Sequence, residues 1–259
     1  MADVTYTDIY NKVKALAGIP SPDANAQTQI LQYVNRRAKL AYESCDFWPR
    51  WLVVGELRNY QSTTVNATAL VMGYTYTILS VGNTNWVAVG AASNTVGVTF
   101  VATGVGTGSG TATWNSNIIP FTENGKSVID KFIRVHKVYQ PFYQYSSVEL
   151  EFYVTAAGAA VMGDTSASTA SAYVSYRKEW DGPYTAISTN IPDEWQEYVA
   201  HGAYADWLRA DGKNDVAMAE EKVAQEYLDQ EMSQVDVQRS IGVVAHRIST
   251  HVNRSFRRN

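Results

Sequence analysis

Residues 61–122, 62 in a row, contain no Asp, Glu, Lys or Arg. Such a stretch cannot lay out the charged outer face of a surface helix. Its Thr, Val, Asn and Gly suit short strands and turns instead. It holds no charged group to act as acid, base or metal ligand, which argues against an enzyme. Charged, helical-looking sequence lies on both sides, so the chain is made of two kinds of material.

The N-terminal flank predicts two helices. Thr5 and Asp8 form a capping-box pattern, Ile9, Val13 and Leu16 recur on one face, and Gly18 and Pro20 end the run. A second helix is expected from Ser21, as N-cap, with Pro22 in its first turn and Ile30, Leu31, Val34, Ala38 and Ala41 on one face. An aromatic knot, Phe47, Trp48, Pro49 and Trp51, follows.

Beyond the knot, strand candidates are 52–57, 74–79, 86–89, 98–102 and 111–114, punctuated by Gly73, Gly82, Gly90 and Gly97. Their spacing predicts a small antiparallel barrel or sandwich. The Gly104, Gly106, Gly108, Gly110 run reads as a flexible hairpin. Further strands are expected at 128–139, 148–154 and 172–180, as a separate sheet on the helical part, with 156–170 as a flexible tip or loop.

Helix returns at Ile191, Pro192, Asp193 and Glu194, with Trp195, Val199, Ala203 and Leu208 on its face, and ends at Asp211 and Gly212. A fourth helix is expected from Asn214 to about Val235, Glu-rich on its outer face, closing an antiparallel hairpin.

The expected fold class is α+β: a helical core of two N-terminal and two C-terminal helices, a small antiparallel sheet, and an inserted all-β barrel or sandwich module. Residues 1–60 and 123–238 are read as the core, 61–122 as the inserted β-module, and 239–259 as a basic C-terminal tail.

At 259 residues and 46% hydrophobic content the chain can bury a sizeable core. No apolar run spans a bilayer and the N-terminal residues lack a signal-peptide pattern, so a soluble intracellular product with no membrane partner is expected. One cysteine, Cys45, and four scattered histidines offer no disulfide and no metal-ligand spacing. No cofactor or metal is expected.

The net charge of −4 hides an asymmetry. Residues 239–259 carry five arginines and no acid; the other 16 basic residues stand against 25 acidic ones, a net of −9. Residues 193–236 alone hold twelve acidic and three basic residues. An acidic helical segment thus runs directly into a basic tail.

The familiar catalytic patterns fail on inspection. Gly125, Lys126 and Ser127 end like a phosphate loop, but Pro120 occupies the first glycine position and a strand follows. The Gly104–Gly110 series has Ser109 or Thr111 where a dinucleotide fingerprint needs its third glycine. Thr107 precludes a nucleophile elbow at Ser109. His136, His201, His246 and His251 form no triad with an acid and a nucleophile, and Glu220 with Glu221 reads as a solvated helix surface. No catalytic residue is assigned.

The tail is the candidate binding segment. Ile248, Val252 and Phe256 stand four residues apart among Arg247, Arg254, Arg257 and Arg258. Apolar anchors between guanidiniums suit a segment that folds on a partner and meets its carboxylates. The alternative is a disordered basic end. Five charges would give DNA only modest, salt-sensitive affinity.

The order of parts resembles the head-to-tail adaptor (connector) proteins of tailed bacteriophages. The similarity lies in 8–51 and in 192–232, the latter with Ala203, Leu208, Gly212, Ala217 and Ala219 in a proline-led closing hairpin. The charge-free stretch is similar to a β-module inserted in several phage structural proteins, through Gly73, Tyr74, Tyr76, Ile78, Gly82, Thr84, Trp86, Gly90, Ala91, Asn94, Gly97, Phe100 and Gly104.

The resemblance implies a homo-oligomeric ring, usually of twelve copies, in the virion neck and assembled in the host cytoplasm. It implies portal protein and tail or neck proteins as partners, with transient passage of double-stranded DNA. It also implies that the C-terminal segment reaches the portal. An alternative is a phage-particle protein whose β-module binds carbohydrate or a receptor, for which Trp86 and Trp114 would lie on the surface. A hydrolase is a third, for which no set of acid, base and nucleophile is apparent.

Overall fold

The computed structural model describes residues 3–139, 148–162 and 171–255, with 115 and 237–255 as backbone alone. Its elements begin with β1 (Asp3–Val4), α1 (Tyr6–Ala17) and α2 (Ala24–Ser44). Then follow β2 (Leu52–Asn59), β3 (Ser62–Asn66), β4 (Thr75–Ser80), β5 (Thr99–Val101), β6 (Thr111–Asn115) and β7 (Ile118–Pro120). Next come β8 (Ile129–Val138), β9 (Val148–Leu150), β10 (Phe152–Thr155), β11 (Gly158–Val161) and β12 (Ser171–Lys178). The last are β13 (Ile191–Pro192), α3 (Gln196–Ala210) and α4 (Asn214–Ser255). The chain divides into two compact units, Met1–Leu52 with Trp180–Asn259, and Val53–Glu179.

The first unit is helical. Thr5 caps α1 as its sequence predicts: its hydroxyl accepts from the Asp8 amide at 3.1 Å and its own amide donates to the Asp8 carboxylate at 3.0 Å. α2 starts later than Ser21. Asp23 is its N-cap, accepting from the Ala26 amide at 2.7 Å, because a carboxylate in that position satisfies the orphan donor directly.

Ile191 and Pro192 are not yet helix: they pair with Val4 and Asp3 as a short antiparallel ribbon, and a 3-10 turn at Asp193–Trp195 leads into α3. The aromatic knot fills this core. Trp51 stacks on Trp195 with ring centroids 4.6 Å apart, Trp48 meets Trp195 edge-on, and the Trp48 indole donates to the Ala41 carbonyl at 2.8 Å. Ile9, Val13, Ile30, Val34, Val199 and Ala203 complete the packing.

The second unit corrects the expected fold class. Among the described residues the chain has four α-helices and thirteen strands in four antiparallel sheets, not a helical core with one small sheet, and no barrel closes. The strands after 122 are no mere layer. β2-β12-β8-β9 and β10-β11-β7 bury Phe132, Val135, Val174, Tyr176, Ile119 and Val161 in a core of their own. β2, from before the charge-free stretch, joins β12 from far beyond it.

The segment expected as a flexible loop at 156–170 contains β11, wholly buried and central in its sheet. Its Gly-Ala-Ala-Val sequence has the small side chains that a crowded site needs. A Cβ on Gly158 would fall 2.0 Å from the Ile119 carbonyl oxygen.

Ser62 through Asn115 form the third sheet, β3-β6-β4-β5, around Tyr76, Ile78, Trp86, Phe100 and Ala112. Ile118–Pro120, also charge-free, belongs to the neighbouring sheet instead. The candidate strand at 86–89 is a 3-10 turn capped by Asn94, whose side-chain oxygen accepts from the Trp86 amide at 2.6 Å.

The glycine run is open at Gly104 but closely packed at Gly106 and Gly110. The Gly110 amide donates to the Thr84 hydroxyl at 2.9 Å, and a Cβ there would fall 2.5 Å from the Val81 carbonyl and 2.7 Å from the Trp86 ring. Gly110→Ala is therefore expected to destabilise this sheet by about 1–3 kcal/mol through overpacking. Denaturant unfolding followed by the near-ultraviolet signal of Trp86 and Trp114 measures it; unchanged stability would contradict the close packing.

Candidate functional site

The hairpin of α3 and α4 is built around buried charge. Arg37 on α2 and Asp206 on α3 have side chains only 3% and 2% exposed. The Arg37 Nε and Nη2 donate to the two Asp206 oxygens at 2.8 and 2.7 Å, and Nη1 and Nη2 donate to Glu221 of α4 at 2.5 and 2.7 Å. Arg209 reaches both acids, at 3.1 Å to Asp206 and 2.8 Å to Glu221. One guanidinium thus ties three helices with fork-to-fork bonds. Gly202 makes room for it, since a Cβ there would meet the Arg37 stem at 2.7 Å.

A second charged seam runs beside the first. Lys12 of α1 pairs with Glu197, and His201 stands 3.8 Å from Glu197 and bonds Glu220 of α4 at 2.8 Å while stacking on Tyr227. Glu220 and Glu221 are thus no freely solvated face. At least six of the twelve acids in 193–236, Asp211 with Lys213 and Glu226 with Lys222 among them, are engaged by basic partners, which moderates the hairpin's outward negative charge.

Electrostatics follow from these contacts. Burial works against the Arg37 charge, but its bonds to Glu221 and Asp206 outweigh that and raise its pKa. The Arg37 hydrogen bond, with Arg209 adding to it against burial, holds the Glu221 carboxyl down from 4.5 to about 2. A folded pKa below the unfolded one means that the stabilisation is complete above 4.5 and is lost as pH falls toward 2. Glu221→Gln is expected to flatten the acid limb of the stability curve over that window. Urea melts at stepped pH check it; parallel curves for both proteins would refute the assignment. Glu231 shifts the other way, raised by burial and then by Glu194 and Asp193.

α4 is the feature the sequence reading underestimated. It runs 42 residues to Ser255, not to about Val235, against 15 in α3. At 1.5 Å per residue it is about 63 Å long, so some 40 Å of it has no α3 turn alongside. Ala224, Leu228 and Val235 bury its first half in the core, and Ala217 is buried as well. Val216, Met218, Val223 and Tyr227 are apolar yet exposed on it.

Of the tail residues, Arg247, Ile248, Val252 and Arg254 lie in the α4 backbone; Phe256, Arg257 and Arg258 are outside the described residues. Arg37 and Asp206 were missed by sequence reasoning. Their signal was phase: Arg37 falls among Ile30, Val34, Ala38 and Ala41, and Asp206 among Val199, Gly202 and Ala203, on faces that are otherwise apolar.

Among the described residues no group of three or more His, Cys, Asp or Glu is arranged to hold a metal ion, and no helix is long and apolar enough to cross a membrane. Lys126 is engaged by the Leu57 carbonyl, in a turn that leads to β8. On the β-module Trp86 is fully buried rather than on the surface, while the half-buried Trp114 stacks on the exposed Tyr74. No family model matches this chain, and the search of curated proteins found no match to it.

Proposed function

We propose that this chain is a head-to-tail adaptor of a tailed bacteriophage, a structural protein that forms a ring beneath the portal, joins it to the tail or neck proteins and continues the DNA channel. The observation that carries the reading is α4. A helix rooted in an acidic, ion-paired hairpin continues for tens of ångströms into a segment with five arginines and no acid.

A body and an arm of opposite charge suit attachment at a distance. A preformed helix lowers the ordering cost of docking Ile248 and Val252, Phe256 adds a third apolar anchor, and Arg247, Arg254, Arg257 and Arg258 meet carboxylates on the portal. Twelve such arms on one ring act together, so modest single-arm affinity suffices. The mechanism is assembly, with no covalent step.

Negative-stain imaging of the purified protein with and without portal tests this. Rings coaxial with the portal are expected in the mixture, and a protein that ignores portal would overturn the reading.

A further inference from the structure

Among the described residues the charge-free sheet has one covered edge and one bare edge. Its outer strands are β3 and β5. Beside β5 the Thr103 amide donates to the Val89 carbonyl at 3.0 Å, and Gly90 lies so close that a Cβ would fall 2.5 Å from the Val101 carbonyl oxygen. Among the described residues β3 has no such cover: Ser62, Thr63, Thr64 and Asn66 are all exposed.

The register shows which backbone groups are free to pair. Ala67 donates to the Gly110 carbonyl and Ser116 to the Gln61 carbonyl, so alternate residues Thr63 and Val65 face β6. The N–H and C=O groups of Ser62, Thr64 and Asn66 therefore point away from the sheet. Natural edges are guarded by Lys, Pro, a bulge or an inward charge. β3, Ser-Thr-Thr-Val-Asn, has none of these, and its register with β6 is unbroken.

We infer that β3 is a docking edge for a second copy of this chain, the two β3 strands pairing antiparallel about a two-fold axis at Thr64. That register sets Ser62 opposite Asn66 and Thr64 opposite Thr64, and every outward group finds a partner, about six hydrogen bonds in all.

The side chains agree with the backbone. Thr64 faces Thr113, Thr113 faces Thr77 and Thr77 faces Thr99, with the last two hydroxyls 3.0 Å apart. The axis would continue this row across eight strands through one more Thr–Thr pair, a favourable cross-strand combination. Charge selects the same partner. Two chains of net −4 repel, and this module, with no charged residue, is where they meet without repulsion.

Two five-residue edges bury well under the roughly 1,200 Å² of a stable interface, so the dimer is weak and forms at high concentration. An isologous contact closes on itself, so it is distinct from any ring contact and stands or falls without the portal.

The test is sedimentation velocity of the full chain from micromolar to near-millimolar concentration, with hydrogen exchange at both ends of the range. A shift from monomer to dimer is expected, with the Ser62, Thr64 and Asn66 amides slowed and those of Thr63 and Val65 unchanged. Thr64→Lys and Thr64→Pro, the latter removing an amide that no ladder bond uses, are each expected to weaken association at least about tenfold without loss of fold. Absence of a concentration-dependent dimer would overturn the proposal. So would association that survives both substitutions, or larger species whose β3 amides stay unprotected.

Discussion

Asp206→Ala is expected to lower unfolding stability by about 3–5 kcal/mol, the range for removing one partner of a buried ion pair. Arg37 would keep Glu221 but lose the acid that meets its Nε, with its own side chain only 3% exposed. A charge left without that partner cannot reach water from between three helices.

The loss would not measure what the pair contributes. Replacing both by apolar residues, as in Arg37→Met with Asp206→Leu, is expected to recover most of it, because desolvation offsets much of the attraction in the intact pair. Tryptophan fluorescence in denaturant reads the change well, since Trp48, Trp51, Trp180, Trp195 and Trp207 all belong to the helical unit. Because the chain has two units, that transition should be followed separately from the β unit's. A loss under about 1 kcal/mol for Asp206→Ala would mean that solvent or Arg209 compensates, and that the hairpin is not pinned by this network.

The local signals in the helical unit were legible. Thr5 with Asp8 announces a cap, Gly18 and Gly212 announce ends, and the apolar faces of α1 to α3 follow the helical period. The β unit was harder because its organisation is non-local. Nothing near Leu52–Asn59 says that its sheet partner is Ser171–Lys178, and Gly158–Val161 looked loose because its side chains are small, although smallness is what fits it between two strands. Trp86 read as strand for its β-rich neighbourhood, yet Asn94 caps it into a 3-10 turn. As for the candidate arm, Val235 looked like a natural stop, but no glycine or proline other than Gly242 interrupts the chain from Asn214 to Ser255, and the helix continues.

Truncation after Arg239 is the second change with a large expected effect. It removes four of the five tail arginines and the three apolar anchors, and leaves Val235 and the buried faces of α1 to α4 in place. The helical signal should fall only by the residues deleted, and the acid-dependent behaviour set by Glu221 should persist. Attachment to portal should drop steeply: when many weak arms act together, losing all of them forfeits an avidity gain of about 10²–10⁴. Charge reversal of Arg254, Arg257 and Arg258 to Glu should weaken attachment in the same direction, and more so at low salt, where screening is least.

The most direct measurement is co-sedimentation of portal with the intact chain and with the chain ending at Arg239, at matched concentration and salt. The intact chain should travel with portal and the shortened one should stay behind, correctly folded. Equal recovery of both with portal would contradict the account, since attachment would then lie outside the basic arm of α4.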